Sequence, residues 1–209
     1  MIKIEQSILG ICQTNTYYAY NPDTKKGFIV DPADSPEIII SNIEKLGFNP
    51  EAILITHGHF DHIMASDAIK EKFNIPTYIG CNERSVIEDA DVNLSRPFMG
   101  TACTMEADNY LSDGQIIQIA DFSIRTIETP GHTIGGVCYY IENEKILFSG
   151  DSLFHQSIGR TDFPGGSTLS LVAAIKGKLF LLPDDIKVYP GHMDDTTIGD
   201  EKKYNPFCH

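Results

Sequence analysis

No stretch of about 18 apolar residues occurs in this 209-residue chain, so nothing in it offers a transmembrane helix. It is poor in cations as well. Against 29 Asp and Glu stand 16 Lys and Arg, a net charge of −13 with no basic patch, which argues against a nucleic-acid partner. The cysteines Cys12, Cys81, Cys103, Cys138 and Cys208 are odd in number, scattered and never in a CxxC pair. Neither a disulfide framework nor a thiolate metal site is expected, and they read as small buried hydrophobes. The segment Met1 to Gln6 alternates like a strand and lacks the basic, apolar and small-residue zones of a signal peptide, so a cytoplasmic address is expected. Low-complexity tracts, linkers and repeats are missing too. The length suits one domain, 1–209, of the larger α/β kind.

What is present is patterned. Gly27 to Asp31 reads as a buried strand, Pro36 to Leu46 as a helix stopped by Gly47, and Ala52 to Thr56 as a strand. The alternation continues with a helix over Ile63 to Phe73, a strand over Pro76 to Ile79 and a helix over Glu83 to Ala90. From Asp91 to Tyr110 the periodicity fails, and a long loop is expected, either a surface excursion or a lid. Strands resume at Gln115 to Ile119, Phe122 to Glu128, Val137 to Ile141 and Ile146 to Ser149, joined as antiparallel hairpins. Ser167 caps a helix running to about Leu181, and Ile186 to Tyr189 is the last strand.

The histidines fall at the ends of these strands. His57 and His59 follow Ile53 to Ile55, His132 follows Phe122 to Glu128, Asp151 follows Ile146 to Ser149, and His192 follows Ile186 to Tyr189. Polar groups just beyond several strand ends converge on one crevice in layered α/β folds, and convergence is what a metal site needs. In the turn from His57 to His62, His57, His59 and Asp61 can face one way while His62 faces aside, so one turn can serve two ions. Imidazole and carboxylate suit zinc, and Gly58, Gly131, Gly150 and Gly191, each beside a proposed ligand, let the backbone bend there. Of the remaining histidines, His155 reads as a loop residue near the site and His209 as a terminal residue without a role. Tyr17 and Tyr18 read as alternating strand packing rather than pocket lining.

The run Thr56-His57-Gly58-His59-Phe60-Asp61-His62, with Gly131-His132-Thr133-Ile134-Gly135-Gly136, Gly150-Asp151 and Pro190-Gly191-His192, resembles the metallo-β-lactamase superfamily over nearly the whole chain. Gly150 to Phe154, Gly159 to Asp162 and the tail Glu201 to Pro206 look like the glyoxalase II-like hydrolases, which cleave hydroxyacylglutathione thioesters. The resemblance implies a four-layer αβ/βα sandwich. It also implies that His57, His59 and His132 hold one ion, that Asp61, His62 and His192 hold the other, and that Asp151 bridges them. His59 stands where flavodiiron-type members carry Glu, and His62 where many true metallo-β-lactamases lack His, so a redox di-iron site and antibiotic hydrolysis are not expected. Full glyoxalase II proteins continue into a helical region that holds much of the glutathione site. This chain ends at His209 and resembles the short members, so glutathione as the carrier thiol is an open question.

The expected cofactor is two divalent ions, zinc in the first place, with iron or manganese as alternatives. Such ions about 3.5 to 4 Å apart share a water and lower its pKa to give a bridging hydroxide, which Asp61 would orient as the catalytic carboxylate. A thiol leaving group needs little help from an acid. Arg160 can clamp a substrate carboxylate, although an ion pair with Asp162 is the plainer account. The expected substrate is thus a small-molecule thioester such as S-lactoylglutathione. The rivals are an iron-dependent persulfide dioxygenase, which carries a segment like Gly159 to Phe163, a lactonase or phosphodiesterase on the same metals, and an inert metal-stabilised binding module.

Overall fold

A computed structural model describes residues 1–208, and His209 lies outside them. The first half forms a sheet of β1 (Lys3–Leu9), β2 (Thr14–Tyr20), β3 (Lys26–Val30), β4 (Asn49–Leu54), β5 (Thr77–Gly80) and β6 (Asn109–Leu111), in that order. β1 to β3 pair antiparallel, and β3 to β6 pair in parallel. The second sheet takes β7 (Ile116–Ile119), β8 (Phe122–Glu128), β9 (Val137–Ile141) and β10 (Ile146–Gly150) as consecutive antiparallel neighbours. After the small hairpin β11 (Leu153–Phe154) and β12 (Ser157–Ile158), β13 (Lys187–Pro190) joins β10 in parallel and β14 (Thr196–Thr197) forms the edge.

The helices hold to the sequence reading where caps are strong. α1 (Pro36–Leu46) begins with Pro36 at its first turn, buries Ile39 and Ile43, and ends where Gly47, at φ 66°, returns its N–H to the Ile43 carbonyl. The helix expected over Ile63 to Phe73 is instead two, α2 (Phe60–Ile63) and α3 (Ser66–Phe73). They separate because the Ala65 N–H leaves the helical ladder for the Pro32 carbonyl at 3.0 Å. Of the helix expected over Glu83 to Ala90, only α4 (Arg84–Ile87) is α-helical, since Asp89 accepts the Asp91 N–H at 2.9 Å and turns the chain. The segment 91–110 is not a structureless loop. It contains α5 (Ser95–Met99), whose Pro97 sits in the first turn where no intrahelical donor is required, and it ends in β6. The Ser167 hydroxyl caps α6 (Thr168–Gly177), accepting the Ser170 N–H at 3.2 Å, and a 3-10 turn over Leu179–Leu181 follows. α7 (Ile198–Tyr204), unforeseen in the sequence, is capped by Thr197.

Strand alternation builds the layers. Tyr17, Ala19, Phe28, Val30 and Leu54 face Ile124, Tyr139, Ile141 and Phe148 in a central core between the sheets. The alternate residues Tyr18, Tyr20, Ile29 and Ile53 pack against Ile39, Ile43 and Ile69 of the helices outside the first sheet. Cys138, Tyr140, Leu147 and Val188 pack against Leu171, Ile175 and Ile198 outside the second. Three cores separate four layers, so the fold is the expected αβ/βα sandwich. Tyr17 and Tyr18 are strand-packing residues, Tyr17 in the central core and Tyr18 in the core outside the first sheet. Among the described residues, no helix is long and apolar enough to cross a membrane.

Candidate metal centre

The seven expected ligands meet just beyond the ends of strands from both sheets. His57 and His59 follow β4, Asp61 and His62 lie in α2, His132 follows β8, Asp151 follows the last residue of β10, and His192 follows β13. Three donor groups form, His57–His59–His132, His57–His62–Asp151 and Asp61–His62–His192, each with its ligand atoms within 4.8 Å of one another. His59 Nδ1 lies 2.9 Å from His132 Nε2. Asp151 sits between the outer two groups, with Oδ1 3.4 Å from His62 Nε2 and Oδ2 3.4 Å from both His132 Nε2 and His192 Nε2.

The donor set fits divalent cations, as its own unmet bonds show. His57 Nε2, His62 Nε2 and Asp151 Oδ1 are buried without a hydrogen-bond partner. A buried polar atom left unpaired costs about 1–3 kcal/mol, so three at one point mark a missing cationic partner. Protonation tells the same story. Burial, then the neighbouring charge of His62, drives His57 well below its ordinary pKa, while burial and His132 take His59 down to about 3. Burial also lowers His132, against the pull of Asp151. These rings therefore offer neutral lone pairs. Burial opposes charge on His192 too, but Asp151 and Asp61 outweigh it and raise that imidazole to about 11. Burial is likewise overcome at Asp61, which His62 and His192 hold down at about 2, and at Asp151, which His192 and His62 hold well below the carboxylate range. The carboxylates thus draw in positive charge, a role that protons and metal ions compete to fill.

Residues that sequence reasoning did not single out fix this geometry. Asp31, one residue past β3 and at φ 49°, accepts the Thr56 N–H and hydroxyl at 2.7 Å each, and its Oδ2 lies 2.9 Å from His62 Nδ1. Orientation of a ligating imidazole through its far nitrogen is a regular feature of metal sites. His132 Nδ1 donates to the Arg160 carbonyl at 2.7 Å, and the Thr14 hydroxyl donates to Asp61 at 2.8 Å. The Asn15 amide holds the Pro190 and Met193 carbonyls on either side of His192, at 2.9 and 3.0 Å. The glycines do more than bend the chain. Gly150, at φ 49°, is in the left-handed region, whereas Gly191 is required for space, since a Cβ there would overlap Asp151 Oδ1 and the His62 ring.

A cavity of about 340 Å³ opens on His59, Asp61, His132, Asp151 and His192. Much of its wall is apolar, including Phe60, Leu94, Phe98 and Phe163, so part of the segment 91–110 lines the site. Arg160 lines it too, but its guanidinium donates to both Asp162 oxygens, at 2.8 and 2.7 Å, which is the plainer of its two expected roles. His155 is exposed in the turn between β11 and β12 and is not part of the wall. The cysteines are only partly the buried hydrophobes expected. Cys138 and Cys208 are buried, Cys81 and Cys103 are half-buried, and the half-buried Cys12 lines the cavity. Burial, reinforced by Asp61 and Asp151, pushes the Cys12 thiol up to about 11, so it stays protonated.

Residues 9–192 match the family model described as the metallo-beta-lactamase superfamily. The chain is 38% identical over 200 residues to a probable metallo-hydrolase, YqgX, of Bacillus subtilis, covering 95% of this chain and 94% of that protein. It is 36% identical over 188 residues to hydroxyacylglutathione hydrolase GloC of Haemophilus influenzae, covering 88% of each. Among solved structures, BLEG-1 B3 metallo-beta-lactamase superposes with a TM-score of 0.94 at 43% identity, covering 99% of each chain. TTHA1623 in a di-iron-bound form superposes with a TM-score of 0.85 at 32% identity, covering 97% of this chain and 99% of that one. With a family match running from the end of β1 to His192 and relatives alike over almost their full length, the chain belongs to the metallo-β-lactamase superfamily.

Proposed function

We propose that the protein is a hydrolase that uses two divalent metal ions to cleave a thioester. The observation that carries this is the donor set, two three-residue groups with Asp151 between them, facing one cavity. His57, His59 and His132 would hold one ion, Asp61, His62 and His192 the other, and Asp151 both. Ions so bound lower the pKa of a water molecule and polarise a carbonyl. The chain's own groups do the rest. Asp61, fixed by the Thr14 hydroxyl and held ionised, is an acceptor that orients the attacking water. The apolar wall excludes bulk water and strengthens these interactions. Asp61 and Asp151 are the carboxylates of the cavity lining, and neither retains a proton to give a leaving group. A group that departs as an anion is therefore favoured, and a thiol of pKa about 8.5 meets that need where an alcohol or amine does not. The name of GloC, a hydroxyacylglutathione hydrolase, supports the same reaction class.

BLEG-1 favours a second reading, opening of a β-lactam ring, against which the lack of a protonated carboxyl among the described lining residues weighs because nitrogen leaves. The di-iron form of TTHA1623 supports iron beside zinc as the metal. Protein of measured metal content, assayed for thiol release from acyl thioesters and for cleavage of a chromogenic cephalosporin, separates these readings. Thiol release is expected, falling by about 10²-fold or more in Asp61→Ala together with reduced metal occupancy. Cephalosporin cleavage without thiol release gives the second reading, and one iron per chain with oxygen uptake on a persulfide contradicts both.

A further inference from the structure

Three phenylalanine rings lead from the mouth of the cavity to two of the candidate ligands. Phe60 and Phe98 stack with centroids 5.9 Å apart and planes inclined by 28°, Phe98 meets Phe163 edge-on at 6.1 Å, and Phe163 stands edge-on to His59 at 5.5 Å and to His132 at 6.3 Å. Phe98 and Met193 both line the cavity, yet they are 54% and 61% exposed. Apolar side chains left bare around one opening mark a surface that a ligand covers. Backbone strain points the same way. Leu94 (φ 69°) and Met193 (φ 65°) are held in the left-handed region that long apolar residues avoid, and both residues line the cavity. Strain of this kind gathers at ligand-binding positions.

Charge is distributed in the opposite sense. Arg160 is the one Lys or Arg among the lining residues, and its guanidinium is engaged twice, by both oxygens of Asp162 and by the Phe163 ring 4.0 Å away. Glutathione carries two carboxylates and coenzyme A carries several phosphate charges. Each such group, once desolvated against this wall, requires a cation, and apart from the metal ligands the wall offers only the already engaged Arg160, while the chain's net charge of −13 repels it beforehand.

We propose that the substrates are thioesters whose acyl group is apolar and ring-bearing and whose thiol portion carries no charge, the acyl group lying against Phe60, Phe98 and Phe163. This rests on the thioesterase reading above. The test compares kcat/KM of the metal-loaded protein for phenylacetyl and acetyl thioesters of N-acetylcysteamine, and for S-lactoylglutathione. A buried methylene contributes about fourfold, so phenylacetyl is expected to exceed acetyl by about tenfold or more. It is also expected to exceed S-lactoylglutathione, and in Phe98→Ala the phenylacetyl-to-acetyl ratio falls towards one. Calorimetry with uncleavable thioethers supplies an independent readout: S-(2-phenylethyl)-N-acetylcysteamine is expected to bind more tightly than S-methylglutathione. Preference for S-lactoylglutathione, or an unchanged ratio in Phe98→Ala, overturns this inference and leaves the thioesterase reading standing. Thiol release from none of the three overturns the thioesterase reading and this inference with it.

Discussion

Glu83 is fully buried, and each of its carboxylate oxygens takes a backbone N–H, that of Gly58 at 2.6 Å and that of Gly135 at 2.7 Å. One side chain thereby joins the turn bearing His57 and His59 to the turn that follows His132. Burial pushes its carboxyl up against the pull of those two donors, so the contact has a cost that the joined loops offset. Glu83→Ala strands two buried donors, and a loss of roughly 2–4 kcal/mol is expected in urea unfolding of the metal-free protein. Zinc affinity, measured by chelator competition, is expected to weaken by about 10- to 100-fold. Unchanged affinity would remove Glu83 from the support of the site. Five of the ligands were legible in the sequence because each is a donor side chain shortly after a strand, and Asp61 and His62 because they close the turn that His57 begins. Asp31 has the same signature after Phe28-Ile29-Val30 and was readable by the same rule. Glu83 was not, since its partners are backbone groups that leave no trace in residue type.

At the scale of elements, Asp108 pins β5 beside β6. Its carboxylate accepts the Thr77 N–H and hydroxyl at 2.9 Å each and the Lys70 ammonium at 2.7 Å. Partial burial works to raise its pKa, but Lys70 and Thr77 outweigh that and the value is lowered below 3.8. A carboxyl lowered by folding stabilises the fold above its ordinary pKa, and that contribution disappears as the pH falls through the lowered value. Asp108→Asn is therefore expected to melt below the wild type at neutral pH and to converge with it as the pH drops below 3.8, in metal-free protein. A gap that widens on acidification would contradict the assignment. α1 and the start of α6 were readable because Gly47 and Ser167 punctuate them. The break between α2 and α3 was not, because Pro32, remote in sequence, captures the Ala65 N–H. β2 is buried along all seven residues but opens on Thr14-Asn15-Thr16, so beyond the strand packing of Tyr17 and Tyr18 it lacks the continuous apolar run that announces a covered strand.

For the whole molecule, the apolar runs that become β3, β4, β9 and β10 made the layered α/β class legible, since a strand covered on both faces reads as continuous apolar sequence. The walls of the cavity were not legible. Leu94, Phe98, Phe163 and Met193 come from separate turns and a short helix with no shared spacing, and folding alone gathers them. Both sheets must be assembled before either donor group exists, because β4 supplies His57 and His59 while β8, β10 and β13 place His132, Asp151 and His192. Seven residues from two sheets are placed to hold two ions before one cavity. Calorimetric titration of the metal-free protein with zinc, wild type beside His192→Ala, tests this most directly. Two ions per wild-type chain and one per variant chain are predicted; fewer than two in the wild type, or two in the variant, would contradict it.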